Sequence, residues 1–385
     1  MGMDQKLEID IYEASSQVSE IGAGIGFWPR GWSIFKTLGL EESLLKIASR
    51  SPDDRPHTVF YVEKADGSEV PTIKEIAGGT STMHRADLQN VLVKHSNTRI
   101  HLSHRLSAFE EGEEIHLHFE NGKAATCDFL VGMDGIKSVV RKCLLLNQGL
   151  VDSPSLHPVC SGYMAYRALI PAEVLRKKFP HHRALTNHML YFGKWKHIVT
   201  YPVAQNKLIN FAAITTDLST EGRSYDGPTT VPCSPEELNS LFADWEDEVK
   251  ALISLIEEPT RWVIRTLLPM DSYALGRVVL GGDAAHAMTP FLGNGAGRAV
   301  EDAYILASLL SKGLHRNNLI EKSRRAGRIL QMVTPDFKDA AEGDALIPPE
   351  KLVEFFAQYD KELEMFGKGR AEEDKNRALE MLINS

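Results

Sequence analysis

The chain has 385 residues, 43% hydrophobic and 25% charged, a balance that excludes disordered and fibrous classes. A formal charge of −9 argues against a basic surface for nucleic acid or anionic membranes. No apolar run approaches the roughly 18 residues of a membrane span and no signal-peptide pattern opens the chain, so the expected compartment is the cytoplasm.

Leu7, Ile9 and Ile11 alternate with charged residues and predict a strand from Leu7 to Tyr12, closed by Glu13. An acid at such a strand end is where dinucleotide folds hold a ribose, although strands also end in solvated glutamates. Ile21-Gly22-Ala23-Gly24-Ile25-Gly26-Phe27-Trp28-Pro29 lacks G-x-G-x-x-G spacing and no strand feeds it, so it reads as a loop. A helix is predicted from Trp32 to Ala48, broken at Gly39. His57 to Lys64 and Glu69 to Ile76 then form two strands around Ala65-Asp66-Gly67, and Arg85 starts another helix.

Phe129 to Gly132 predicts a strand that runs into Met133-Asp134-Gly135-Ile136-Lys137-Ser138-Val139-Val140-Arg141. Ser138 and Arg141 lie one helical turn apart, so both can face one ligand. From about Leu150 to Ile264 the texture changes to strands rich in aromatic residues. Gly162 to Pro171, Met189 to Gly193, His197 to Pro202 and Lys207 to Ile214 predict an antiparallel sheet. Ser219 to Pro235 reads as a polar loop, and Glu236 to Glu258 as helical. The four cysteines, Cys127, Cys143, Cys160 and Cys233, have no metal-ligand spacing and suit a reduced compartment.

Val278 to Leu280 reads as a buried strand, stopped by Gly281-Gly282-Asp283-Ala284-Ala285-His286. Pro290, Gly293, Asn294, Gly295 and Gly297 make an irregular loop, and a helix begins at Ala296 with Val300, Ala303, Leu306, Ala307 and Leu310 on one face. Strand, Gly-Asp, glycine loop and helix N-terminus suit an anionic, hydroxylated cofactor. The carboxylate accepts from hydroxyls while bare N–H groups face a phosphate. A Gly-Asp pair alone is as readily a turn.

Together these strings resemble the class A FAD-dependent aromatic monooxygenases, in particular the salicylate hydroxylase branch. The resemblance rests on Tyr12–Phe27, His84–Leu88, Asp134–Arg141 and Gly282–Ala303. It implies an α/β fold in which a p-hydroxybenzoate-hydroxylase-like, FAD-binding parallel-sheet domain is incomplete at its N-terminus. An antiparallel-sheet substrate domain is inserted in it, and helices follow. The implied domains are 1–150 with 265–320, 151–264, and 321–385. Glu13, Gly26, Arg85, Asp134, Asp283 and Ala296 would bind FAD. NADPH or NADH would reduce it, and a phenolic or aryl-carboxylate ring would be hydroxylated with O2 through a hydroperoxyflavin. Arg167 and Tyr201 match positions assigned to catalysis or substrate anchoring, where a cation and a hydroxyl stabilise a phenolate. His286 belongs to the motif loop and is read as structural or flavin-contacting. The expected partners are a small aromatic substrate and O2, with no nucleic acid or membrane span, in a monomer or homodimer.

Two departures are plain. The family's phosphate fingerprint should lie about 20 residues before the ribose acid, yet twelve residues precede Glu13. The rival expectation is therefore a truncated or impaired relative that binds FAD weakly or not at all. A third is a flavin-free module that holds an aromatic ligand on the antiparallel sheet. Glu321-Lys322-Ser323-Arg324-Arg325-Ala326-Gly327 also arrives early, as if a segment after Leu314 were absent.

Overall fold

The computed structural model describes residues 8–18, 24–50, 56–64, 72–77, 80–193, 195–291, 293–310, 371 and 375–376. Its largest element is an eight-stranded sheet. The strand order is Thr230–Pro232, Thr260–Thr266, Val159–Pro171, Leu208–Thr216, Lys196–Val203, Met189–Gly193, Pro56–Lys64 and Thr72–Ala77. Every neighbouring pair is antiparallel except Met189–Gly193 beside Pro56–Lys64.

Strand side chains alternate between faces, so the two faces of this sheet have different fates. Tyr166, Ile198, Ile209, Phe211 and Ala213 are buried against Leu175, Leu238, Val249 and Leu252 of the helices Ala172–Lys178, Pro235–Leu241 and Asp247–Ile253. The intervening positions, including Arg167, His197, Val199, Tyr201 and Ala212, point the other way.

The rest of the described chain is made of smaller pieces. Asp10–Tyr12 pairs in parallel with Arg99–His101. Leu130–Gly132 pairs in parallel with Val278–Leu280, which carries Ala274–Leu275 antiparallel on its far edge. A three-stranded sheet, Leu106–Glu111, Ile115–Phe119 and Ala124–Cys127, shares a core with the helix Val139–Asn147 and with Val278 and Leu280. No described helix is long and apolar enough to cross a membrane.

Several elements differ from their sequence reading. The stretch read as a loop forms a strand, Gly24–Phe27, because Ser81–His84 supplies an antiparallel partner from far along the chain. The first helix starts at Pro29, whose fixed φ suits the first helical position, and runs to Thr37. Gly39 at φ +74° turns the chain into Glu41–Leu45. The helix expected over Glu236 to Glu258 is two, because Phe242 and Trp245 turn into the core edge to face, 4.8 Å apart. The polar loop before it contains the edge strand Thr230–Pro232. The hairpin grouped by sequence with residues 1–150 adds to the large sheet instead.

On the helix Gly295–Leu310 the expected stripe is only partly right: Ala303 is exposed, while Glu301 and Asp302 are buried. Each of those two buried acids has partners. Arg30 grips Glu301 with two bonds of 2.9 and 3.0 Å, and Arg298 adds a third at 2.8 Å. Apart from residues 371 and 375–376, the segment 321–385 lies outside the described residues, as does the turn at 65–67.

Candidate active site

Three structural units converge on the open face of the large sheet. The sheet contributes a row fixed by register: Arg167 lies opposite Ala212, Ala212 opposite Val199, and His197 and Tyr201 flank Val199 on its own strand. The small Ala212 lies between Arg167 and these side chains. The Arg167 guanidinium stacks on Trp262, 5.4 Å from the ring centre. Burial lowers its pKa, although far too little to discharge an arginine. Burial raises the pKa of Tyr201 against the opposing pull of Arg167 and Arg85, so its hydroxyl is a proton donor at neutral pH. Burial also pushes His197 down to about 4, leaving a neutral imidazole with one donor and one acceptor nitrogen.

The second unit is the strand Gly24–Phe27. A Cβ on Gly24 would lie 2.7 Å from Tyr201 Cε2 and 2.8 Å from Val203 Cγ1, so glycine is required for the two sheets to touch here. At Gly26 the nearest atom would be Thr82 Cγ2 at an ordinary 3.5 Å. The steric demand therefore falls on Gly24, which the sequence reading left unassigned.

The third unit is the Gly-Asp loop. Gly282 adopts φ +56° and ψ −147°, and its N–H donates to Asp302 Oδ2 at 2.8 Å. The same oxygen takes His286 Nε2 at 2.6 Å, so one carboxylate pins both ends of the turn Asp283–His286. Burial lowers the His286 pKa, but the Asp302 bond and charge outweigh it and the net shift is upward. Asp302 thereby fixes the His286 ring within the turn. Asp283 itself is exposed, with no hydrogen bond among the described residues. Phe291 carries the loop onto the sheet, packing edge-on against Tyr163 at 4.6 Å and His197 at 5.4 Å.

The other sequence candidates lie around this junction. Glu13 ends the Asp10–Tyr12 strand, half-buried. Its backbone bonds to residues 101 and 104, and Oε1 accepts the Ser15 N–H at 2.7 Å. Arg85 begins the helix Arg85–His95 close enough to act electrostatically on both Arg167 and Tyr201. Ala296 sits in the first turn of Gly295–Leu310, against the cluster of Phe27 and Trp32.

Asp134 caps the helix Val139–Asn147, accepting from Ser138 Oγ, Val139 N at 2.7 Å and Val140 N at 3.2 Å. The reading of Ser138 and Arg141 as ligand-facing is corrected. Ser138 caps the same helix. Arg141 is buried, donating to the carbonyls of Ser155, Ala284 and Ile136 at 3.1, 3.0 and 2.7 Å. It ties the Asp-Gly turn to the Gly-Asp turn, and burial lowers its pKa to about 10.

The loop fits a flavin nucleotide on two observations of this structure. A Cβ at Gly293 or Gly295 would meet no atom of the described residues within 4 Å, so among these residues nothing covers the backbone before the 16-residue helix. Beside it the Asn294 amide nitrogen is buried without a hydrogen-bond partner among the described residues. A parallel strand ending in Gly-Asp, a helix N-terminus and a capping antiparallel sheet together define the α/β flavoprotein class.

Comparison with known proteins narrows the class. A family model described as "FAD binding domain" matches residues 11–326. Salicylate hydroxylase of Pseudomonas putida is 36% identical over 315 residues, covering 79% of this chain and 71% of its own. The 6-methylsalicylate 1-monooxygenase of Aspergillus terreus is 33% identical over 327 residues, covering 81% and 71%. A solved salicylate hydroxylase substrate complex superposes with a TM-score of 0.74 at 25% identity, covering 97% of this chain and 98% of that one. The chain belongs to this FAD-binding family, among the class A FAD-dependent aromatic monooxygenases that resemble salicylate hydroxylase.

Proposed function

We propose that the chain hydroxylates a phenolic or aryl-carboxylate small molecule, with FAD as cofactor and NADPH or NADH as electron donor. The observation that carries this reading is the row of Arg167, His197 and Tyr201 on the open sheet face, brought against the Gly-Asp loop through Phe291. Glu13, Gly26, Arg85, Asp283 and Ala296 would hold the cofactor, with Asp134 acting through the turn that it orders. Bound FAD supplies the activation of O2; the protein supplies position and field.

Arg167 offers the fixed positive charge that an aryl carboxylate or phenolate needs, and Trp262 keeps it aimed. Tyr201 donates a hydrogen bond to the ring oxygen, which holds the ring in its electron-rich form. His197, uncharged, hydrogen-bonds the same ring without adding a second cation. The test is NAD(P)H oxidation by the FAD-supplemented protein, with and without salicylate-like substrates, and product identification by mass spectrometry. Hydroxylated product coupled to oxidation supports the reading, and substrate-independent oxidation or none overturns it.

One observation favours weak cofactor binding as a second reading. Ile11 and Val131 on the parallel strands, and Ile9 and Met133 next to them, are 36–45% exposed. FAD titration separates the two.

A further inference from the structure

We infer that Asn210 is a substrate-binding residue whose amide selects an aromatic ring carrying a neutral hydroxyl or amino substituent beside the acidic group held at Arg167. The inference rests on the hydroxylase reading above. Asn210 lies between Ile209 and Phe211 in the strand Leu208–Thr216, and both neighbours are fully buried against the helices. Alternation turns the Asn210 side chain to the other face, the one that carries Arg167, His197 and Tyr201. Register sets it directly opposite Tyr201 on one side and Leu169 on the other. Arg167, whose own partner is Ala212, is its diagonal neighbour, and diagonal pairs are within reach of long side chains.

Asparagine is a poor strand residue, and at 3% exposure in the middle of a sheet it needs a hydrogen-bond partner. Its amide has none among the described residues. Nor is it shut away. Tyr191 Oη and Thr200 Oγ1 on nearby strands are unpaired and sealed from solvent, but the Asn210 amide is not among the sealed groups. Leu169 beside it is 38% exposed, so the face is open at this point. A leucine of similar volume would fill the same space without an unpaired amide, so packing alone gives no reason for asparagine here. A ligand on the open face does. An amide offers an acceptor oxygen and donor N–H groups, which suit a neutral group that both donates and accepts, such as a phenolic hydroxyl or an aromatic amine. Arg167 serves the acidic group, so Asn210 reads what stands next to it on the ring.

Asn210→Leu tests this because packing and recognition predict opposite signs. Removing an unpaired buried amide leaves stability equal or higher, whereas removing a substrate contact weakens binding. Three quantities separate them: the melting temperature of the cofactor-free protein, the KM of the hydroxybenzoate that the FAD-loaded enzyme turns over best, and the inhibition constant of the isosteric methylbenzoate. The methyl group matches the hydroxyl in size and makes no hydrogen bond. Asn210→Ser and Asn210→Ala cover a site too tight for leucine, since serine keeps a donor and an acceptor and alanine keeps neither.

The expected result for Asn210→Leu is a melting temperature at or above wild type, a hydroxybenzoate KM raised about tenfold, and an unchanged inhibition constant for the methylbenzoate. Asn210→Ser should keep a lower hydroxybenzoate KM than Asn210→Ala. A wild-type KM in Asn210→Leu overturns the inference and leaves the amide to ordered water. Equal losses for both ligands also overturn it, because the residue then shapes the site without reading the substituent. A wild-type chain that turns over no hydroxybenzoate overturns the hydroxylase reading, and this inference with it.

Discussion

The large sheet and the parallel strands beneath the Gly-Asp loop make an instructive pair. The sheet has eight hydrogen-bonded strands, and the face away from the site is sealed by three helices around Tyr191, Ile198, Ile209 and Phe211. Parallel strands are ordinarily covered on both faces. Here they lie in two separate short sheets. Val131 and Val279 are register partners on neighbouring strands, yet Val279 is fully buried and Val131 is 36% exposed. The large sheet is held by apolar packing on that face, whereas the region of the parallel strands combines an apolar core with buried polar clamps such as Arg141, Arg277 and Asp302. It is also the region that bound cofactor should stabilise most.

Breaking a clamp gives the largest expected effect. Arg141→Leu takes the donor from two buried carbonyls and one part-buried carbonyl and should cost about 3 kcal/mol or more, read as a lower urea midpoint. Equal stability of this variant would remove the distinction between the two regions.

The two histidines should give opposite pH slopes. His197, on the sheet, has a folded pKa of about 4 against 6.5 unfolded, so its contribution is full above pH 6.5 and lost as pH falls towards 4. That is about 3 kcal/mol across the window. His286, in the loop, has a raised pKa, so its contribution is full below pH 6.5 and lost as pH rises through the folded value. Melting curves between pH 4 and 9 should lose the acid limb in His197→Phe and the alkaline limb in His286→Asn.

Arg167→Met should leave the melting temperature nearly unchanged, because the residue lines the open face, while kcat/KM for an aryl carboxylate falls about 100-fold. A larger loss of stability than of activity would move Arg167 from the site to the core. The smallest contrast is the sharpest. Val279→Ala should cost about 2 kcal/mol, and Val131→Ala under about 0.5 kcal/mol, in parallel denaturant titrations.

Much of this protein was legible in the chain itself. The Gly-Asp motif, the strand before it and the helix after it follow from local propensity and from side chains a few residues apart. So do the antiparallel strands with Arg167 and Tyr201. That Arg167 and Tyr201 share a face follows only from strand register, since Ala212 and Val199 lie between them. The strand Gly24–Phe27 needs the distant Ser81–His84, and Gly24 is required by a tyrosine far along the chain. Helical spacing puts Ser138 and Arg141 near one another, but cannot tell a ligand from a backbone carbonyl that folding delivers. The same blindness hid Asp302 under a turn closed twenty residues earlier. Local sequence determines which elements form and which motifs they carry. Which polar groups meet solvent, cofactor or one another is set by long-range contacts, because the free energy of a buried charge depends on the partner beside it and not on its neighbours in sequence.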